Sequence, residues 1–171
     1  MERLVCDLRE QTERALWEVG NVIDCLNDAL WDAVYCGAPA WKHAYHMLHS
    51  LDRWYINPYE YAEPSFHVGG LDDLDRDTPP EQRLTHAALR AYLAAIADKL
   101  RAYLDGLTDA ALAECPAGCE RTRLSLIVAQ MRHLHSHMGM LMGFIIRDTG
   151  KWPAVLGATR PFPTGAYDRY F

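Results

Sequence analysis

The chain has 171 residues, of which 50% are hydrophobic and 23% charged, and a net charge of −6 at neutral pH. Such a length suits one domain around one apolar core, and such a composition excludes disorder of the whole. With 17 basic residues against 23 acidic ones there is no positive field to neutralise a phosphate backbone, which excludes nucleic acid as the expected partner.

The first predicted element is a helix ending near Leu26, because Leu4, Leu8, Ala15, Leu16, Val19, Val22, Ile23 and Leu26 recur with a helical period. Asn27 or Asp28 can cap a short turn containing Leu30 and Trp31, and Gly37-Ala38-Pro39 punctuates the chain before the next helix. That second helix is predicted from Pro39 or Ala40 until Asn57-Pro58 stops it. Residues 57–80 show no sustained period; four aspartates, Gly69-Gly70 and Pro79-Pro80 make them an acidic loop, long enough to expect a role. Thr78, Pro79 and Glu81 form a capping-box pattern that predicts the start of a third helix, which runs to Gly106. A fourth is expected from Thr122 to Asp148, with Gly150 as its terminator. The tail, residues 149–171, is too rich in Pro and Gly for a regular element, but its aromatics predict that it packs back onto the body. Four long helices and no convincing strand make the predicted fold class all-α, an up-down four-helix bundle, as a single domain over residues 1–171.

No apolar run approaches the roughly 20 residues that cross a bilayer, and the acidic N-terminal stretch lacks the basic-then-apolar order of a signal peptide, so a cytoplasmic protein with no membrane partner is expected. The five cysteines, at 6, 25, 36, 115 and 119, lack a framework spacing and read as reduced thiols. Cys115 and Cys119 are close enough to oxidise or share a metal, but no two further soft ligands accompany them.

Chemistry concentrates in the eight histidines, six of which fall at 43, 46 and 49 in the second helix and at 133, 135 and 137 in the fourth. Neutral imidazoles can bind a metal without adding several like charges to a core. At about 100° per residue, His133 and His137 lie about 40° apart beside Leu126, Gln130 and Phe144, whereas His135 points away. An H-x-x-x-H pair grips an ion only with help from a facing helix, and its alternative use is as partly buried packing residues bonded to backbone or to Gln130. On the second helix the apolar side is Trp41, Ala44, Met47, Leu48, Leu51 and Trp54; projection puts His43 at its border and His46 almost opposite, so periodicity favours His43.

The segments AWKHAYHMLHSLDRWYINP and MRHLHSHMGML resemble the metal-binding four-helix bundles of the DinB/YfiT-like family, and the likeness extends from the first helix to about Leu156. The first segment is similar to the family's tryptophan five residues before a ligand histidine, the second to its H-x-x-x-H followed by x-G. The resemblance implies a divalent ion (Zn, Ni, Fe or Mn) held by His46, His133 and His137, with Gly139 at the small position after the last ligand. His49 departs from the family pattern, standing where an apolar residue is usual. Some members of the family are thiol-dependent isomerases or transferases, which implies a small-molecule substrate and a low-molecular-weight thiol as cosubstrate.

Three imidazoles leave a coordination position open, as catalytic sites do. The leading expectation is therefore a metal-dependent enzyme of hydrolase or thiol-transferase type, with Tyr45, His49, Asp52 and Gln130 as helper residues to examine. No carboxylate stands inside the H-x-x-x-H interval to act as a base, so the alternative is a non-enzymatic metal-binding or stress-response accessory protein. Trp31, Trp54 and Trp152 can line a pocket or pack helices, and the surplus of aromatic and methionine residues outside the central stripe predicts a homodimer.

Overall fold

A computed structural model describes residues 2–163 and 169–171; part of the tail, 164–168, lies outside the described residues. Helix α1, Arg3–Cys25, buries Val5, Leu16, Val19 and Ile23 and lacks a cap from its own Glu2. The Asp109 carboxylate caps it instead, accepting from the backbone N–H groups of Leu4 and Val5 at 3.1 and 2.9 Å. Asn27 caps the single turn α2, Asp28–Trp31, through the Leu30 N–H. A two-residue antiparallel pair follows, β1 (Val34–Tyr35) with β2 (Ala38–Pro39), closed by Cys36 and Gly37 at positive φ. Helix α3 is Ala40–Trp54, α4 is His86–Asp105 and α5 is Arg123–Thr149.

The helices pack as the expected bundle, α1 against α4 and α5, and α3 against the same two. Leu48, Ile96, Ile127 and Leu141 are among the fully buried residues of the shared core; truncating such a leucine to alanine costs about 2–5 kcal/mol. Thr122 caps α5 through the Ser125 N–H, and Gly150 ends it in the left-handed region at φ 69°.

The predicted start of the helix before Gly106 is corrected. Thr78 is not its cap: residues Pro80–Gln82 form an isolated 3-10 turn, and α4 begins seven residues later behind Thr85, whose hydroxyl accepts from the Ala88 N–H at 3.1 Å. The intervening chain is held out of the helix by tertiary partners. Arg83 makes a two-pronged contact to Asp32 at 2.6 and 2.8 Å, and the Leu84 carbonyl accepts from the buried Trp31 indole at 2.9 Å. Trp31 thus packs as a core residue and stacks on His86, whereas Trp54 and Trp152 are exposed.

The tail does return to the body. Buried Asn21 donates to the carbonyls of Ala154 and Arg169, and buried Glu18 accepts from the N–H groups of Leu156 and Gly157. All five cysteines are free.

The loop over residues 57–80 sets up the site. It lies along the side of α3 opposite the apolar stripe and is fastened there at positions 42, 45, 46 and 49, one helical stripe of polar side chains. Fully buried Lys42 donates to the Arg76 carbonyl, and its pKa is lowered chiefly by that burial. Leu71 of the loop is itself buried, and Gly70, at φ 86°, sits where a Cβ would strike the Arg76 guanidinium at 2.5 Å.

Candidate metal centre

On α5, the four-residue spacing stacks His133 and His137 one turn apart, with ring centroids 4.4 Å apart. Their Nε2 atoms face each other at 3.1 Å. Without a metal, one of the two must donate to the other; with one, both lone pairs converge on a point. Bonds of about 2.1 Å at angles between 90° and 109° hold ligand nitrogens about 3.0 to 3.4 Å apart, so the observed separation fits a shared ion. The Nδ1 atoms of both rings are buried and have no hydrogen-bond partner among the described residues.

Electrostatics keep the pair neutral. Burial, followed by the nearby His46, lowers the pKa of His133. Burial again comes first for His137, and the neighbouring imidazoles of His46, His133 and His43 add to it, bringing its pKa to about 4. At neutral pH both rings therefore offer lone pairs.

The third ring comes from α3. His46 lies 4.6 Å from His137 and 5.6 Å from His133, centroid to centroid. Its Nδ1 is 2.7 Å from the Asp72 carbonyl oxygen. A carbonyl can only accept, so Nδ1 carries the proton and the neutral ring presents Nε2 as a ligand atom, the outer-sphere arrangement that orients metal-binding histidines. One ligand atom from each of His46, His133 and His137 lies within 4.8 Å of the other two, a group capable of coordinating a divalent ion. All three rings are half-buried.

Periodicity alone favours His43, and the structure corrects that projection. His43 is buried with its Nε2–H directed at the Tyr35 carbonyl, 2.6 Å away, and its ring edge against Phe144. Its donor is spent on fastening β1 to α3. The projection fails because it assigns solvent to the side of α3 opposite the apolar stripe. In the fold that side is closed by the 57–80 loop, so almost every face of α3 is buried.

The helper residues separate. Asp52 is tied to Lys99 at 2.6 Å and accepts from the Tyr92 hydroxyl at 2.9 Å, which makes it a cross-helix brace. Gln130 sits 3.4 Å from the Ser50 hydroxyl, a contact between α3 and α5. Tyr45 and His49 instead face the loop. The Tyr45 hydroxyl is 2.6 Å from His67 Nδ1, and His49 Nε2 is 2.6 Å from the Glu63 carboxylate. His49, Glu63 and His67 form a second group whose ligand atoms lie within 4.8 Å of one another. Glu63 and His67 escape the sequence reading because nothing periodic marks them in an irregular segment; the available signal is a lone histidine in an acidic loop next to an α3 that already carries three.

His135, expected to point away, is exposed and bonded to the Met131 carbonyl. No described helix is long and apolar enough to cross a membrane. A cavity of about 530 Å³ beside α4, lined in part by Phe66, Leu84, Tyr92, Ile96 and Lys99, contains none of the three clustered imidazoles.

Comparison with known proteins yields no match among curated proteins and none among solved structures. The family model described as DinB superfamily matches residues 10–141, from within α1 to most of the way along α5, and so includes all three clustered histidines. The chain belongs to the DinB superfamily.

Proposed function

We propose that this protein is a divalent-metal-dependent enzyme acting on a small molecule, as a hydrolase or a thiol-dependent transferase, with His46, His133 and His137 as the ligands. The observation that supports it most is the 3.1 Å approach of the two Nε2 atoms on α5, closed by a His46 ring whose proton is held on the far nitrogen. An ion such as Zn, Ni, Fe or Mn, when bound, supplies Lewis acidity that turns water or a thiol into a nucleophile near neutral pH. The chain's own contributions are positional. The α5 turn fixes two donors, Asp72 fixes the tautomer of the third, and three neutral ligands leave both a coordination position and the ion's full positive charge for an anionic or thiol ligand.

A second reading, a non-enzymatic metal-binding or stress-response accessory protein, is favoured by one observation. Asp52 is engaged in a brace and Tyr45 and His49 face the loop, so those expected helpers are committed elsewhere. The two readings part in one experiment. The cobalt form is titrated with glutathione, cysteine and other low-molecular-weight thiols, then assayed for transfer to small electrophiles and for ester and amide hydrolysis. The enzymatic reading expects thiolate charge-transfer bands with metal-dependent transfer, or metal-dependent hydrolysis, in either case abolished in His133→Ala. Metal bound tightly with neither activity supports the accessory reading. A homodimer belongs with both: Leu124 and Val128 expose apolar surface one turn apart on α5, and light scattering should return about twice the 19.4 kDa chain mass.

A further inference from the structure

The stripe of α3 that supplies His46 to one group supplies His49 to another, three residues on and facing the loop. His49 and His67 stack in parallel, 4.8 Å between centroids and 8° between planes. Along one edge of this stack lies Glu63: its Oε2 is 2.6 Å from His49 Nε2 and 3.8 Å from His67 Nδ1. The Asp72 carboxylate lies along the other, 3.4 Å from His49 Nδ1 and 3.9 Å from His67 Nε2.

A neutral His49 has one proton for two carboxylates. Whichever nitrogen carries it, the other presents a lone pair to a carboxylate oxygen, and His49 is only 3% exposed, so water does little to relieve that repulsion. A cation on the Glu63 edge resolves the conflict. His49 Nε2, Glu63 Oε2 and His67 Nδ1 then all act as donors to it, once the 2.6 Å hydrogen bonds from His49 Nε2 to Glu63 and between the Tyr45 hydroxyl and His67 Nδ1 give way to the ion. The far nitrogens of both imidazoles carry protons directed at Asp72, the carboxylate partner that ligating histidines ordinarily have. Arg53 pairs with the other oxygen of Glu63, Oε1, at 3.9 Å, which leaves Oε2 turned to the two imidazoles. Tyr45, 2.6 Å from His67 Nδ1, turns its hydroxyl to the same edge.

We propose that His49, Glu63 and His67 form a second divalent-cation site, distinct from the three-imidazole group, with the Asp72 carboxylate facing the outer nitrogens of both its histidines. Its mixed nitrogen and carboxylate donors suit Zn²⁺, Mn²⁺ or Fe²⁺. The inference does not depend on the three-histidine site being catalytic or even occupied. Asp72 also links the groups, since its backbone carbonyl holds His46 while its carboxylate faces His49 and His67. An ion at the second site therefore pins the loop that orients a ligand of the first.

The test uses the full chain, stripped with chelator, loaded separately with Zn²⁺ and Mn²⁺, desalted and analysed for metal, with the fold of every variant checked by circular dichroism. The wild type should hold two equivalents of at least one of these ions. Removing the α5 pair in His133→Ala/His137→Ala should leave one equivalent, and Glu63→Gln/His67→Gln should also leave one. Glu63→Gln alone, at a partly exposed carboxylate whose shape is kept, should weaken one of the two binding events at least 10-fold. Because each double variant empties a different group, failure of either site is read independently of the other. The proposal is overturned if Glu63→Gln/His67→Gln or Glu63→Gln binds as much metal, as tightly, as the wild type. It is equally overturned if His133→Ala/His137→Ala, correctly folded, binds none.

Discussion

The two histidine groups of this bundle share helix α3 but are made by different means. His133 and His137 stand one turn apart on a 27-residue helix, so their spacing is fixed by backbone geometry before any tertiary contact forms. Glu63, His67 and Asp72 reach His49 only because an irregular segment is fastened along α3 by several separate contacts. The helical group is imidazole only, with burial lowering the pKa of His133 and His137; the loop group mixes imidazoles with two carboxylates. The difference teaches that a rigid element can place donors cheaply, whereas a loop must first be ordered, so its affinity for a ligand is linked to the order of the whole segment.

The largest expected effect breaks the helical group. His137→Ala or His46→Ala should weaken metal binding by more than about 100-fold, beyond the 10- to 100-fold usual for outer-sphere changes. His43→Ala should leave affinity within about threefold and instead lower thermal stability, because it removes the bond to the Tyr35 carbonyl. Competition with a chromophoric chelator separates these outcomes, and a larger affinity loss in His43→Ala would restore the periodicity reading.

A smaller effect sharpens the contrast between groups. Asp72→Asn keeps the backbone carbonyl that orients His46 and removes the carboxylate facing His49 and His67. It should weaken a cation at the loop group by about 10- to 100-fold while moving the three-histidine group by less than about threefold. Equal losses at both would mean that the side chain acts by holding the loop rather than by orienting the imidazoles.

The helical group also predicts a pH dependence for the metal-free protein. His137 titrates near pH 4 when folded against an ordinary 6.5, and burial lowers His43 and His133 in the same direction. Between these values the unfolded chain binds more protons than the folded one, so stability is complete above about pH 6.5 and falls as pH drops toward 4. The loss from His137 alone is on the order of 2 kcal/mol, read by urea denaturation of chelated protein at pH 7 and pH 5. Constant stability across that window would mean that the three rings are solvated rather than buried.

Legibility in the sequence follows the same division. The apolar periods of α1, α3 and α5, the Gly150 stop and the i, i+4 pair on α5 all depend on local geometry and could be read directly. His46 could not be read from periodicity, because which side of α3 is solvent depends on how the irregular loop that follows it folds back along it, and only the family likeness placed it. Glu63 and His67 had no periodic signal, only that of a lone histidine in an acidic loop beside a histidine-bearing helix. The start of α4 failed for a related reason: Thr78-Pro79-x-Glu81 is a sound capping pattern, but the Trp31 indole and Asp32, more than 45 residues upstream, claim the chain after it.

That failure gives the smallest and cleanest effect to measure. Thr85 caps α4 through its hydroxyl, and Thr85→Ala should cost about 1 kcal/mol, the usual penalty for losing such a cap. Thr78 has the opposite character: its hydroxyl oxygen is buried and has no hydrogen-bond partner among the described residues. Replacing it by the isosteric valine removes a polar atom that gains nothing from the fold, so Thr78→Val should be neutral or stabilising, within about 0.5 kcal/mol on the unfavourable side. The capping-box reading demands the reverse ranking, with Thr78→Val losing about 1 kcal/mol and Thr85→Ala, well inside a helix starting at Pro79, nearly neutral or even favourable from alanine's higher propensity. Chemical denaturation of the two variants thus decides where the helix begins, and whether the tertiary grip on Arg83 and Leu84 outweighs the local pattern.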